Sequence, residues 1–242
     1  MPNLVAVSNS AHAGFTVDEI RANSVLAGSQ LIPVVPVEFS QLATEMPIVL
    51  TKHGDTGQFC PVALTGFDSH ENLLCNEQGW QTIVVPLQAQ RQPFFIGQDD
   101  KNSTDEYTIC FDSNSELVSA NGGGQRIFSD AGADTEFFAR KKQVLGALLA
   151  GEQHSQQLIS RLLEYQLIQP MRVDIKFESG KSTQLNGLYT VDRQALSALT
   201  EAQLKTLQQE QLLEAIYAIL ISQGQIYRLI ELRNKRDLST AA

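Results

Sequence analysis

The first half of the chain carries its apolar residues in short runs broken by turn residues, and the second half carries them at helical spacing. Val5 and Val7 predict a short edge strand, and Thr16 three before Glu19 predicts a capping box opening a brief helix. In residues 31–50 the prolines Pro33 and Pro36 cannot donate to a ladder, so this segment belongs at a sheet edge. One helical turn is expected over Ser40 to Glu45, with extended chain from Pro47 to Leu50. Lys52 to Gly57 reads as a turn and Phe59 to Gly66 as a strand. A polar turn at Phe67 to Glu71 then leads to a short strand at Asn72 to Cys75. After a tight turn at Asn76 to Gly79, Trp80 to Pro86 reads as a buried strand and Gln92 to Gly97 as an edge strand. Residues 98–106 are a polar loop, Tyr107 to Asp112 a strand, and Asn121 to Gly124 a flexible loop tip.

From residue 134 the period changes. Phe137, Val144, Leu145, Leu148, Leu149, Leu158, Ile159, Leu162 and Leu163 lie on one face of a long helix. Asp134 is its expected N-cap, Gly146 and Gly151 are points where it could bend, and Pro170 lies just past its end. Val173, Ile175 and Phe177 alternate, and Thr183 to Val191 answers them, so 171–191 reads as a β-hairpin. Asp192 caps a short helix, and Thr200 with Gln203 makes a capping box. Leu212 to Ile221 is apolar nearly all round, which predicts a buried helix ended by Gly224. An amphipathic piece from Ile226 to Leu232 then runs into a charged tail at Arg233 to Arg236. The expected architecture is α+β over a single unit, 1–242. A β-rich part at 1–130 packs against the long helix at 134–168, the hairpin, and helices across 192–236.

Composition supports a globular chain. The 242 residues are 43% hydrophobic and 19% charged. With 18 basic against 27 acidic side chains the net charge is −9, which disfavours nucleic acid and anionic membrane surfaces. No stretch is apolar for the roughly 20 residues that a membrane-spanning helix needs, and the N-terminus lacks a secretory pattern. A soluble, cytoplasmic protein is expected. Cys60, Cys75 and Cys110 form no CxxC pair and read as reduced thiols in strands.

Candidate chemistry is sparse. Gly180-Lys181-Ser182 imitates the end of a phosphate-binding loop, but Ile175 stands where the leading glycine belongs, and a strand follows instead of a helix. His53 with Asp55, and His70 with Glu71, each offer a metal two ligands where three or four must converge, and no GxSxG occurs. Glu38 in VVPVEF and Glu71 before Asn72-Leu73-Leu74 are carboxylates among apolar neighbours. Each therefore needs a cation or takes a raised pKa. Arg91, beside Pro93-Phe94-Phe95, is the expected partner. Trp80 reads as core in preference to a ligand platform.

One stretch, residues 61–96, resembles a known family. Pro61, Val62, Leu64 and Gly66, then Glu71, Asn72 and Leu73, then Gly79 and Trp80, and finally Arg91, Pro93 and Phe94 follow the pattern of the bacterial SapC family. His12, Glu38-Phe39, Met46 to Val49, Ile109 to Asp112, Gly187 to Tyr189 with Val191-Asp192, and Ile216 to Ser222 with Gln225 extend the likeness over nearly the whole chain. Leu74-Cys75 and Gln92 depart from it locally. The resemblance is to the family unrelated to the peptide-transport permease of the same name. It implies a gene neighbourhood with flavin-dependent tryptophan halogenases, cupin-like proteins and outer-membrane receptors, and so a halogenase as one protein partner.

Taken together, these features predict a non-catalytic binding or accessory protein for a small molecule, peptide or partner enzyme, without cofactor or metal. His12, Glu38, Glu71, Asn72, Trp80, Arg91 and Phe94 are its expected ligand-binding residues. The alternative is an enzyme that uses Glu38, Glu71, Asn72, Arg91 and His12 together, which requires them to converge in one cleft. A third reading is a self-associating module, with the long helix as its interface.

Overall fold

Residues 3–98, 107–120 and 122–241 are described by the computed structural model. In chain order they form β1 (Leu4–Ala6), α1 (Asn9–His12), β2 (Thr16–Val17), α2 (Glu19–Ser24), β3 (Leu31–Pro33), a 3-10 turn (Pro36–Glu38), α3 (Phe39–Leu42), β4 (Ile48–Lys52) and β5 (Phe59–Leu64). Next come β6 (Cys75–Asn76), β7 (Gly79–Trp80), α4 (Leu87–Gln90), β8 (Phe94–Gln98), β9 (Tyr107–Asp112), β10 (Val118–Ser119) and β11 (Gln125–Arg126). The remainder is α5 (Glu136–Glu164), β12 (Ile168–Lys176), β13 (Ser182–Val191), α6 (Arg193–Ser197), α7 (Glu201–Gln209), α8 (Leu213–Ser222) and α9 (Gln225–Ala241). The fold is α+β, with a strand-rich first half followed by a long helix, a hairpin and further helices.

The larger sheet has the antiparallel order β12-β13-β4-β5-β3. Each outer strand carries a proline, Pro33 in β3 and Pro170 in β12 opposite Tyr189, while Pro61 in the inner strand β5 pairs with Leu50 of β4 just beyond the residues that β3 pairs with. β13 pairs with β4 in the ladder at Tyr189 and Leu50, with the Thr51 hydroxyl donating to the Gly187 carbonyl (3.2 Å) beside it, so most of the β12–β13 hairpin extends past the sheet. Its tip leans on α9 instead, where the Glu178 N–H donates to Asn234 Oδ1 (3.1 Å) and Ser179 Oγ donates to Asp237 (3.3 Å). Two three-stranded sheets, β1-β9-β8 and β10-β2-β11, lie in the first half, and β6-β7 is a small separate hairpin.

Two apolar clusters result. The larger joins Phe39, Leu42, Ile48, Val62 and Leu64 to Leu158, Leu162, Ile216, Ile219 and Leu229. The smaller joins Val17, Phe94, Phe111 and Ile127 to Phe137, Phe138 and Leu145. α5 serves both, its N-terminal turns in the smaller and its C-terminal turns in the larger. The helix runs unbroken past Gly146 and Gly151. At Gly151 a Cβ would come within 2.6 Å of Val35 Cβ, so the glycine admits a close approach of the chain to the helix.

Several boundaries differ from expectation. Thr16 lies in β2, and Asp18 caps α2 by accepting from the Arg21 N–H (3.1 Å). α5 is capped by Thr135, not Asp134, whose carboxylate pairs with Lys142 at 2.5 Å. The helix stops at Glu164 and the hairpin already begins at Ile168, because Gln166 takes a positive φ of 54° and turns the chain. Pro170 is thus inside a strand. The strand expected over Asn72 to Cys75 shrinks to Cys75–Asn76, and Trp80 to Pro86 is not a strand beyond Trp80. Ile83 in that run is 95% exposed, having no neighbouring strand to pair with. α8 is not buried all round, since Tyr217 and Ile221 face solvent. The charged tail is no tail either, because α9 continues through it to Ala241. Most of the polar loop expected at 98–106, and Asn121 of the expected loop tip, lie outside the described residues.

Candidate functional site

The site begins with a glycine. At Gly66 a Cβ would stand 2.5 Å from the Glu71 carbonyl oxygen and 2.8 Å from its Cγ. Lacking one, the turn after β5 folds tightly enough to draw the Glu71 side chain inside, where the residue is only 4% exposed. Its Oε2 accepts from the Phe67 N–H (2.7 Å) and the Asp68 N–H (3.3 Å). Its Oε1 accepts from Arg233 Nη1 (2.8 Å) and from Arg236 Nη2. Arg233 also donates to Asp68 (2.8 Å) and Asp237 (3.1 Å), and its guanidinium lies 5.2 Å from the Phe177 ring centre. Burial opposes the Arg233 charge, yet its hydrogen bonds to Asp68 and Asp237 prevail and raise its pKa. Four donors therefore saturate the Glu71 carboxylate, and turn, hairpin tip and last helix are tied at one point.

Asn72 is equally occupied. Its Nδ2 donates to the Leu26 carbonyl (2.9 Å) and its Oδ1 accepts from the Leu74 N–H (2.9 Å). The first bond holds the segment leading to β6 against the loop after α2, and the second shapes that segment's own turn. Between that strand and α9 opens a cleft of about 360 Å³. Leu73, Cys75 and Leu232 provide apolar lining, while His70, Asn76, Glu77, Gln81 and Arg236 bring polar groups. Burial pushes the Cys75 thiol up to about 11, so it stays protonated and is a weak nucleophile. Trp80 pairs with Cys75 across the β6–β7 hairpin and packs partly buried on the larger cluster, as expected of a core residue. Its Nε1 is buried without a hydrogen-bond partner among the described residues.

The other expected residues lie elsewhere. Glu38, at the end of the 3-10 turn, buries its carboxylate against the start of α4, accepting from the Val35 N–H (3.0 Å) and the Leu87 N–H (2.8 Å). Burial drives its pKa up to about 7 against the lowering effect of those two bonds. Arg91 pairs with neither Glu38 nor Glu71. It donates to Gln88 (2.6 Å) and the Phe94 carbonyl (2.7 Å) and stacks on Phe95 at 4.5 Å, so local contacts within its own turn hold it. Phe94 is fully buried, 5.1 Å from Phe138. His12 is wedged between Phe15 (4.9 Å) and Phe111 (5.1 Å), with Nδ1 3.1 Å from the Ser8 backbone nitrogen. Of the seven expected residues, the cleft brings together Glu71 and Asn72, and the five-residue catalytic grouping does not form.

Arg233 and Arg236 were not anticipated. The available signal was spacing: Arg233 falls four residues after buried Leu229, on the inward face of the helix. An arginine at such a position calls for a buried acid.

Among the described residues no three His, Cys, Asp or Glu side chains gather where they could hold a metal ion. No described helix is long and apolar enough to cross a membrane. No curated protein and no solved structure matches the chain. The SapC family model matches residues 7–229, a span that includes Glu71, Asn72 and the whole hairpin around Trp80 and stops just before the two arginines. With most of its length inside that match, the chain belongs to the SapC family.

Proposed function

We propose that the protein is a non-catalytic binding or accessory protein, and that its ligand site is the cleft between the Asn72–Gln81 segment and α9. One observation carries this reading: Glu71, the buried carboxylate among the described residues of the cleft wall, already accepts from four donors. A general base must have a lone pair directed at its substrate, and Glu71 has none to spare. The neighbouring thiol is held protonated as well. What the cleft offers a visitor is an apolar lining with a rim of amide, imidazole and charged side chains, the make-up of a recognition site.

A ligand-observed NMR screen of small polar and amphipathic compounds, and of short peptides, tests the reading. Hits are expected with the native chain and lost in Gln81→Trp, which places an indole over the cleft. Hits untouched by that substitution would move the site elsewhere. Turnover of an indole, peptide or nucleotide by the purified protein would end the non-catalytic reading.

A further inference from the structure

The last two helices leave one face uncovered. α8 and α9 follow each other through Gln223 and Gly224, with Gln223 in helical backbone conformation. Their inward side holds Ala215, Ile216, Ile219, Leu220 and Leu229. Outward, Glu214, Tyr217, Ile221, Gly224, Tyr227, Glu231 and Lys235 succeed one another at steps of three and four residues, and each is exposed. Tyr217 is 47% exposed, Ile221 69% and Tyr227 74%, so three large side chains follow one another in solvent along a single stripe.

The order of this stripe is nearly palindromic about Gly224. Ile221 and Tyr227 lie three residues to either side of it, and Tyr217 and Glu231 lie seven to either side. Glu214 is ten before it and Lys235 eleven after. In a two-fold, antiparallel pairing of two such helices, each residue meets the one equally far on the other side of the axis. Ile221 then packs on the second copy's Tyr227, the Tyr217 hydroxyl reaches Glu231, and Glu214 faces Lys235. The residue at the axis has no side chain, so the two helices can approach closely. All three pairings are favourable in kind, and each occurs twice.

We propose that this face binds a second copy of the same chain, forming a two-fold dimer centred on Gly224. α5 offers less for that role, because Phe137, Phe138, Leu145, Leu158, Ile159 and Leu162 of its apolar face are taken up in the two internal clusters. The cleft uses Leu232 and Arg236, which lie in the same turns of α9 but one residue round the helix from Glu231 and Lys235 of the stripe.

Light scattering on the full chain is expected to give twice the monomer mass of 26.6 kDa. Ile221→Asp, at an exposed position where folding should survive, is expected to weaken association about tenfold or more. Glu214→Lys should weaken it too, and adding Lys235→Glu should restore it. Gly224→Cys has room, since a Cβ there meets only the Ile221 carbonyl oxygen at 3.6 Å. It should form a disulfide-linked dimer on oxidation, whereas Ser197→Cys, on an exposed helix away from the stripe, should not. A monomer at every concentration would overturn the proposal, including one that binds a different protein through this face. So would a dimer indifferent to Ile221→Asp, or failure of Gly224→Cys to cross-link.

Discussion

Replacing Glu38 by glutamine should remove a pH dependence from the stability of the whole protein. Glu38 is a buried carboxylate whose pKa rises from 4.5 to about 7, because burial penalises its charge more than the Val35 and Leu87 N–H groups favour it. The folded state therefore holds its proton more tightly than the unfolded state does. The resulting stabilisation is fully present below about pH 4.5 and is lost as pH rises through about 7. Each tenfold difference in proton affinity corresponds to about 1.4 kcal/mol. Between pH 5 and 8 the native protein should thus lose about 2–3 kcal/mol on account of this one group. Glutamine cannot ionise, so Glu38→Gln should lack that slope. Its amide must face one of the two backbone donors, at a cost of about 1–3 kcal/mol, but that cost is constant across pH. Urea melts at pH 5, 6, 7 and 8, followed by the fluorescence of Trp80, separate slope from offset. The two stability curves should converge or cross as pH rises. Parallel curves would mean that Glu38 ionises in the folded state as easily as in the unfolded one, and the account of its burial would be wrong.

Other substitutions test the ion cluster and the close approaches. Glu71→Ala should cost about 3–5 kcal/mol in urea unfolding, because it leaves Arg233 facing a gap where its innermost acceptor stood. Arg236→Ala should cost no more than about 1 kcal/mol, as its side chain is 47% exposed. Gly66→Ala should lower stability by about 1–3 kcal/mol by pushing Glu71 out of place, and the loss should shrink in a Glu71→Ala background. Ile83→Ser should change stability by less than about 0.5 kcal/mol, against the larger loss that a buried strand residue would show, as thermal melts can decide.

Where local chemistry decides, the sequence was a good guide. Asp192 and Thr200 with Gln203 cap their helices as their side chains dictate, and Pro33 takes a sheet edge because its nitrogen has no hydrogen to give. The 3.6-residue period marks α5 for the same reason, since a packed face must repeat with the backbone. The failures occur where distant partners decide. Ile83-Val84-Val85 has strand-like composition, but strands need neighbours and none lies alongside. Glu71 is the buried acid that its apolar neighbours predict, yet its cation stands on α9 and not at the nearby Arg91. A sequence displays the need for a counter-charge, and the fold alone selects which of several arginines supplies it.

The distance between those partners has a consequence for biosynthesis. Glu71 and Arg233 are 162 residues apart, so the carboxylate leaves the ribosome long before the guanidinium exists. At about 5–20 residues per second the wait is ~10–30 s. Throughout that interval the nascent turn at Gly66 must either remain open to water or bury an anion alone. The region around the cleft should therefore be among the last to mature, and a chaperone or protease meeting the growing chain would find it unlatched.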